Sequence, residues 1–375
     1  MRILFSGGAS GGHVNPALAI AEIMKSNYPD CEIAFVGTPD GIENDLVPQA
    51  GYKLYKIKIE AVNGKSGIGK MKAYARAFTS QFAAKKIIKE FKPDIVIGTG
   101  GYACWPALKV AAQMRIPTML HESNSYPGMA VRKLQETVDV IMTNFENTKE
   151  KLSERACVVN VGNPVRRDCS TLTREVARKN LGISDDKFVV LSFGGSLGAI
   201  VLNDVATDYM QNFAASRDDV ISFHIGGKIY YDDASKKFEE AKLLNNERNE
   251  LIRFTNDLPT YMAAADVVIC RAGAMTITEI ARMGKAAIII PSVNVTDNHQ
   301  YTNAKELSDA GAAMLLEEKD IASGVIVNHL EALYNDRNAL DKMGEKVKAF
   351  ANDGVEKAIF ENVNKLLESY KKILK

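Results

Sequence analysis

Two glycine-rich turns are the parts of this chain best suited to hold a phosphorylated ligand. The first glycine turn runs from Gly7 to His13, and the second runs from Gly194 to Gly198, half a chain later. Glycine lets backbone N–H groups approach a ligand closely, and a helix that follows such a turn adds a dipole that favours anions. The alternative is that each turn only packs a helix tightly onto a sheet. Two such turns in corresponding places favour phosphate binding.

A third candidate phosphate site follows the apolar run 267–270. Gly273 precedes a helical pattern whose first N–H groups and dipole suit a diphosphate. Glu279 follows about one turn later, so its carboxylate could accept hydrogen bonds from both hydroxyls of a ribose. The alternative is that Glu279 is an ordinary partner of the helix dipole. Next to a candidate diphosphate site, nucleotide-sugar binding is the better interpretation.

Two common nucleotide motifs fit the glycine turns poorly. The dinucleotide fingerprint needs glycine where Ala9 stands, and no acidic residue ends the next predicted strand, which closes on Gly37-Thr38. A Walker sequence around Lys65 would need a glycine at Ile59. A nicotinamide enzyme, a kinase and an NTPase are therefore disfavoured.

The elements that must position these turns alternate between strand and helix. Strands are predicted at 2–6, 32–37, 94–98, 117–121, 138–143, 188–194, 220–225, 266–270 and 286–290, and helices at 14–26, 42–50, 70–91, 105–114, 199–214, 275–283 and 300–310. Short buried strands separated by helices indicate an α/β protein with parallel sheets. Ligands of such sheets bind beyond the carboxyl ends of the strands, which is where the glycine turns fall.

The chain length favours two domains, each with its own core. Turn-forming residues between Val161 and Arg166 mark the boundary. We therefore predict a first domain over residues 1–163 and a second over 164–345. A charged helical pattern at 329–375 closes the chain, and we expect its last part, 346–375, to return to the first domain.

Charge and cysteine content exclude several functions. The formal net charge is +1, so a polyanion such as nucleic acid is not an expected partner. The five cysteines are widely spaced and form no C-x-x-C pair, which argues against a disulfide framework and a zinc site. No cofactor or metal is predicted. Met1 leads directly into a strand and no apolar run approaches about 20 residues, so we expect a cytosolic chain whose membrane contact is peripheral.

Together, these motifs closely resemble the MurG family of glycosyltransferases, within glycosyltransferase family 28. The matching segments occur in order from residue 1 to about residue 315: 7–19, 98–102, 121–124, 162–166, 194–199 and 271–279. The departures are small, with Ser10 where the family usually has threonine and Ser123 where glutamine is common. Asn298-His299-Gln300 stands where some members have paired glutamines.

The resemblance implies a GT-B fold, in which two Rossmann-like domains with parallel sheets face each other across a cleft. It implies an inverting transferase of peptidoglycan synthesis that needs no metal in its site. The donor would be UDP-GlcNAc, held mainly by the C-terminal domain, and the muramoyl 4-hydroxyl of lipid I would attack it to give lipid II and UDP. The alternatives are another GT-B enzyme acting on a glycolipid or small molecule, and a non-catalytic nucleotide-sugar sensor.

The resemblance also assigns substrate-binding residues. Arg166, Gly195 and Ser196 would contact the nucleotide and its diphosphate, and Thr255 would meet the uracil through its backbone. The helix start formed by Ala274, Met275, Thr276, Ile277, Thr278 and Glu279 would hold the diphosphate and ribose. Asn124 and Gln300 would read the GlcNAc hydroxyls. The remaining substrate-binding candidates are Ser10, Gly11, Gly12, Gly101, Tyr102 and His299.

The general base has three candidates. His13 follows the first glycine turn and titrates near neutral pH, so it could take the acceptor proton or support the diphosphate. His121 and Glu122 follow a neighbouring strand and could do the same. A buried structural histidine is the alternative for either imidazole. Glu122 could instead orient an imidazole or cap a loop.

A lipid-linked acceptor implies contact with a membrane surface, which would place the protein at the cytoplasmic face of the plasma membrane. Met71, Tyr74, Phe78 and Phe82 recur at helical spacing, and we call them the aromatic stripe. The bases around them are Lys65, Lys70, Lys72, Arg76, Lys85, Lys86 and Lys89. Such a pattern suits a helix that enters the headgroups of anionic lipid, or else the core face of a buried helix. Other cell-wall synthesis proteins are further partners that the family implies.

Overall fold

The computed structural model describes residues 1–8, 10–60, 66–165, 168–244, 248–295 and 298–373. The chain divides into two compact units. The first comprises Met1–Pro164 and Asn352–Lys375, and the second comprises Val165–Ala351. Each unit is built around one parallel sheet, so the predicted α/β class is confirmed.

The first unit has a seven-stranded sheet in the order β3-β2-β1-β4-β5-β6-β7. Its strands are β1 (Arg2–Ser6), β2 (Glu32–Gly37), β3 (Lys53–Lys56), β4 (Ile95–Gly98), β5 (Thr118–Glu122), β6 (Val140–Thr143) and β7 (Val158–Asn160). Its helices are α1 (Gly11–Asn27), α2 (Glu43–Gln49), α3 (Gly67–Phe91), α4 (Cys104–Gln113), α5 (Met129–Leu134) and, at the end of the chain, α15 (Val355–Ile373).

The second unit has a six-stranded sheet in the order β10-β9-β8-β11-β12-β13. Its strands are β8 (Phe188–Phe193), β9 (Val220–Ile225), β10 (Asn249–Ile252), β11 (Val267–Cys270), β12 (Ala286–Ile289) and β13 (Met314–Leu315). Its helices are α6 (Asp168–Thr171), α7 (Arg174–Leu181), α8 (Ile200–Tyr209), α9 (Tyr231–Glu240), α10 (Leu258–Ala264), α11 (Ala274–Met283), α12 (His299–Asp309), α13 (Val325–Asn335) and α14 (Arg337–Lys348).

Apolar side chains cover both faces of each sheet, which explains why the central strands read as continuous apolar runs. In the first unit, Ile3 and Phe5 of β1 belong to one core cluster, while Leu4 of the same strand belongs to the cluster on the opposite face. The second unit repeats this arrangement, with Val189 and Val190 of β8 in different clusters. These cores fix the strand ends from which the candidate site residues emerge.

The strand order creates one topological switch point in each sheet. In the first unit, β1 pairs with β2 on one side and with β4 on the other. In the second unit, β8 pairs with β9 on one side and with β11 on the other. In each sheet, the chain leaves two neighbouring strands in opposite directions: β1 and β4 in the first, and β8 and β11 in the second. A crevice opens at the carboxyl ends of these two strands, where α/β sheets bind ligands.

Among the described residues, four short strands and five helices were not predicted from the sequence. The strands are β3, β7, β10 and β13, which are the edge strands of the two sheets, and the helices are α5, α6, α7, α9 and α10. The charged helical pattern at 329–375 is not one helix but the end of α13 followed by α14 and α15. A left-handed Gly354 precedes α15.

Candidate functional site

The second glycine turn lies at the switch point of the second sheet. It directly follows β8, and Gly273 follows the neighbouring strand β11, so both emerge at the same crevice. Gly195 and Gly198 have φ angles of +87° and +85°, which residues with a Cβ rarely adopt. Ser196 lies between them and is partly exposed.

Helix α11 begins at this crevice with its N–H groups toward the carboxyl edge of the sheet. Gly273 is its N-cap residue, and no side chain caps the helix start among the described residues. The first-turn N–H groups, including those of Met275 and Thr276, therefore suit an anion. Arg271 anchors the loop before the helix, because its Nη1 atom donates to the carbonyls of Ile290 and Pro291 and contacts Glu318.

The rest of the predicted α11 segment divides into two roles. Ala274 begins the helix and Glu279 lies in its second turn, and each is buried with 7% of its surface exposed. Ile277 is 2% exposed and belongs to a core cluster, so its side chain packs rather than faces a ligand. Thr278 turns its hydroxyl back to the Ala274 carbonyl, 2.9 Å away.

The remaining donor-side candidates follow other strands of the same sheet. Thr255 comes after β10, and its hydroxyl accepts from the Asp257 N–H, which leaves the role of a uracil contact to its backbone. His299 and Gln300 open α12, and the Gln300 side-chain oxygen accepts from the Ser292 N–H at 2.9 Å. Arg166 lies outside the described residues.

In the first unit, the first glycine turn packs against the turn that follows β4. A Cβ on Gly101 would lie 2.5 Å from the Gly8 carbonyl oxygen, and φ of Gly101 is +77°. The Thr99 hydroxyl donates to the His13 carbonyl at 2.6 Å. These contacts join the ends of β1 and β4 and bring Ser10, Gly11, Gly12 and Tyr102 to one edge of the sheet. Tyr102 is partly buried, and this burial raises the pKa of its phenol.

His13 is held in one orientation by the backbone. Its Nδ1 atom lies 3.1 Å from the Gly8 carbonyl oxygen and 3.1 Å from the Ser10 hydroxyl. A carbonyl only accepts, so Nδ1 carries the proton and Nε2 is the basic nitrogen of the neutral ring. The ring lies against Gly100, where a Cβ would approach its Cδ2 atom to 2.6 Å. His13 is partly exposed.

His121 has the surroundings of a structural histidine. Its ring is 0% exposed at the end of β5, and its Nε2 atom donates to the Gly162 carbonyl at 2.9 Å. The Ser123 hydroxyl lies 3.5 Å from Nδ1. Burial lowers the pKa of His121 to about 4, so the ring is neutral at physiological pH. The carbonyl bond ties β5 to the chain after β7.

Glu122 orders the loop that carries Asn124. One carboxylate oxygen accepts from the backbone N–H and the side-chain amide of Asn124, and the other accepts from the Gly128 N–H at 2.7 Å. Burial raises the pKa of this carboxyl. The geometry matches the loop cap that the sequence left open as an alternative. These bonds also orient the Asn124 side chain, because its amide nitrogen must face the Glu122 carboxylate.

Glu43 is a residue of this region that the sequence reasoning missed. Its fully buried carboxylate accepts from the N–H and the hydroxyl of Thr38, both at 2.7 Å. A Cβ at Gly8 would lie 2.5 Å from one of its oxygens. The Glu43 carboxylate therefore packs directly against the first glycine turn. The only signal in the sequence was an acidic residue after Gly41, which is equally typical of an exposed helix start.

Models of two protein-domain families match this chain. The model of the glycosyltransferase family 28 N-terminal domain matches residues 3–143, and that of the family 28 C-terminal domain matches residues 189–358. Among curated proteins, the UDP-N-acetylglucosamine--N-acetylmuramyl-(pentapeptide) pyrophosphoryl-undecaprenol N-acetylglucosamine transferase of Acetivibrio thermocellus is 36% identical over 98% of this chain and 99% of its own length. The chain belongs to this glycosyltransferase family. The resemblance inferred from the motifs is thereby confirmed.

Further relatives of this family 28 glycosyltransferase agree in length and fold. The transferase of the same name from Thermoanaerobacter sp. is 37% identical over 95% of this chain and 98% of its own length. The crystal structure of Acinetobacter baumannii MurG superposes with a TM-score of 0.75 at 29% identity, over 97% of this chain and 99% of that one. The fold class is therefore GT-B, as predicted, with two Rossmann-like domains.

The aromatic stripe of this family 28 chain lies on the outer face of α3. Met71, Tyr74, Phe78 and Phe82 are 58–72% exposed, so they are not core residues. The opposite face of the same helix is buried, with Ala73, Ser80, Ala84, Ile87, Ile88 and Phe91 all 8% exposed or less. Helix α3 thus has two apolar faces. One completes the core of the first unit, and the other is open.

Two features are absent from the described ranges of this family 28 chain. No helix there is both long and apolar enough to cross a membrane. No group of three or more histidine, cysteine, aspartate or glutamate side chains comes together there in a way that could hold a metal ion.

Proposed function

We propose that this chain transfers N-acetylglucosamine from UDP-GlcNAc to the 4-hydroxyl of the muramoyl sugar of lipid I, giving lipid II and UDP with inversion. The observation that carries the proposal is near full-length similarity to transferases whose names state this donor sugar and this lipid-linked acceptor. The two switch-point crevices supply the chemistry that such a reaction needs. One offers N–H groups to a diphosphate, and the other offers a basic imidazole.

The donor diphosphate is assigned to the crevice between the second glycine turn and α11. Its negative charge suits the open N-terminus of α11, where each favourable charge contact contributes about 0.3–2 kcal/mol. The same interaction grows as UDP departs, because charge then develops on the leaving phosphate. Glu279 accepts from the ribose hydroxyls, and Gln300 reads the GlcNAc hydroxyls. Arg166 is retained as a nucleotide contact on the motif alone.

His13 is the proposed general base. Its Nδ1 proton is engaged by the Gly8 carbonyl, so Nε2 is the nitrogen able to take the proton of the acceptor hydroxyl. His121 and Glu122 are the weaker candidates, because their polar atoms already bond to Gly162, Asn124 and Gly128 inside the unit. We assign them to positioning the edge of the sheet on which the acceptor binds.

The aromatic stripe is the proposed membrane contact. From Met71 to Phe82 it extends for about 17 Å along the helix, at about 1.5 Å per residue. Exposed bases on the same helix, including Lys72, Lys85 and Lys86, suit anionic headgroups. Lys65 lies outside the described residues. A peripheral contact of this kind would bring the enzyme to its lipid-linked acceptor at the cytoplasmic face of the membrane, where other cell-wall synthesis proteins would be neighbours.

The function is tested by incubating the purified chain with labelled UDP-GlcNAc and a lipid I analogue in the presence of EDTA. We expect one labelled disaccharide lipid and one UDP per turnover, with a β-glycosidic bond by NMR. An acceptor analogue that lacks the 4-hydroxyl is the matched control and should give no product. Transfer to a different glycolipid alone would favour another GT-B activity, and donor binding without any turnover would favour a sensor.

A further inference from the structure

The second glycine turn is joined to a neighbouring turn by backbone contacts. This Lys228 turn, residues 226–230, follows β9. The N–H groups of Lys228 and Ile229 donate to the carbonyls of Ser196 and Leu197, at 3.0 and 3.1 Å. A Cβ on Gly198 would collide with the Gly226 carbonyl oxygen. Neither turn can therefore change shape without the other.

Four polar side chains lie on the strands and helices that flank this pair of turns. Ser192 precedes the second glycine turn on β8, and Asn203 follows it on α8. His224 precedes the Lys228 turn on β9, and Asp233 follows it on α9. Ser192, Asn203 and His224 are fully buried. We call these four residues the polar bracket.

The bracket is connected by short hydrogen bonds. His224 joins the strands to α8, with Nδ1 2.8 Å from the Ser192 hydroxyl and Nε2 2.9 Å from the Asn203 side-chain oxygen. The Asn203 amide nitrogen then donates to the Asp233 carboxylate at 2.8 Å and to the Tyr230 carbonyl at 3.0 Å. Tyr230 is the last residue of the Lys228 turn, so Asn203 links this turn to α8, the helix that follows the second glycine turn.

The donors and acceptors of the bracket have one consistent assignment. The Tyr230 carbonyl and the Asp233 carboxylate only accept, so the nitrogen of Asn203 must face them and its oxygen must face His224. His224 therefore carries its proton on Nε2, and Nδ1 accepts from Ser192. Burial lowers the pKa of His224 to about 3, which keeps the ring neutral. Burial alone would raise the pKa of Asp233, but hydrogen bonds from Asn203 and Lys237 hold it below its ordinary value.

We propose that Asn203 and His224 are positioning residues of the donor site, which hold the paired turns in the shape that receives the diphosphate of a nucleotide sugar. Every bond of the bracket joins elements that enter or leave these turns. Buried polar networks of this kind fix one geometry, because any altered arrangement leaves a buried group without a partner. The inference rests on the proposed function, since it needs the second glycine turn to contact the donor.

The test uses the full chain, with UDP and UDP-GlcNAc as probes. Asn203→Asp keeps the size of the side chain and the acceptor facing His224, but it cannot donate to Tyr230 and it faces the Asp233 carboxylate. We expect the Kd for UDP to rise at least tenfold by calorimetry. In the transfer assay, KM for UDP-GlcNAc should rise by a similar factor while kcat and KM for the acceptor stay within about threefold.

Two further variants separate positioning from stability. Asp233→Ala, at a half-exposed position, removes one partner of Asn203 and should fold even where Asn203→Asp does not; it should raise the Kd for UDP at least threefold. Val205→Ala truncates a buried apolar side chain of α8 outside the bracket and should lower Tm without changing that Kd. Equal weakening of UDP binding by Val205→Ala would overturn the proposal. A UDP affinity within twofold of the parent value in both Asn203→Asp and Asp233→Ala would also overturn the proposal. Failure of the parent chain itself to bind UDP would instead reject the proposed function.

Discussion

The Nδ1 atom of His13 faces the carbonyl oxygen of Gly8 across 3.1 Å, within one turn of the chain. This bond sets the tautomer of the ring and leaves Nε2 as its basic nitrogen. We predict that His13→Ala lowers kcat by about 10²–10⁴, as expected for loss of a general base. Donor affinity by calorimetry and Tm should stay near the parent values. A kcat within a few-fold of the parent would make His13 structural and return attention to His121 and Glu122.

The buried carboxylate of Glu279 gives a prediction for the donor. Glu279→Gln keeps the shape of the side chain and removes the charge that the ribose hydroxyls are proposed to meet. We expect UDP-GlcNAc binding to weaken by about 1–3 kcal/mol in calorimetry. Glu239→Gln, on the exposed face of α9, is the control and should change nothing. Unaltered affinity in the Glu279 variant would remove this residue from the site.

The two faces of α3 give a matched pair of variants. Phe78→Ser with Phe82→Ser removes two exposed rings, so the free energy of unfolding should change by no more than about 0.5 kcal/mol. Sedimentation with anionic vesicles should fall strongly, and neutral vesicles should show a smaller effect. Phe91→Ser, on the buried face, should cost about 3–5 kcal/mol and serves as the control. A large stability loss in the double variant, or unchanged vesicle binding, would contradict the membrane assignment.

The buried histidines predict how stability depends on pH. The pKa values of His121 and His224 are lowered by burial to about 4 and about 3, below the ordinary 6.5. Their contribution is therefore complete above pH 6.5 and is lost as the pH falls toward the folded values, by about 1.4 kcal/mol per pH unit for each group. Urea denaturation at pH 7 and pH 5 should show each unit less stable at pH 5. His121→Gln should reduce this dependence for the first unit, and an unchanged slope would mean that His121 is not buried in neutral form.

The sequence predicted the central strands and the turns beyond them, because these are local patterns. An apolar run followed by glycines identifies β1 or β8 without any knowledge of the rest of the fold. Edge strands lack that signal. The strand β3 reads Lys-Leu-Tyr-Lys and is half exposed, and β7 has three residues, so neither carries the continuous apolar run of a central strand.

Burial of individual polar groups could not be predicted, because it depends on distant parts of the chain. Position alone places His121 and Glu122 at the end of a strand beside the site. The His121 ring is hydrogen-bonded to the Gly162 carbonyl, which lies 41 residues later in the chain. The same limit applies to α3, whose sequence shows two apolar faces but not which one the sheet covers. Periodicity gives the faces of a helix, and tertiary packing decides between them.

The core of the first unit contains side chains from both ends of the chain. Ile359 and Val363 of α15 are fully buried in the same cluster as Val14 of α1, and the Tyr28 hydroxyl donates to the Asn364 side chain at 2.7 Å. During translation, the apolar side of α1 must therefore wait for almost the entire chain to leave the ribosome. The second unit is continuous and can fold before that moment. We expect the nascent first unit to depend on chaperones that shield apolar segments, and its native state to form after that of the second.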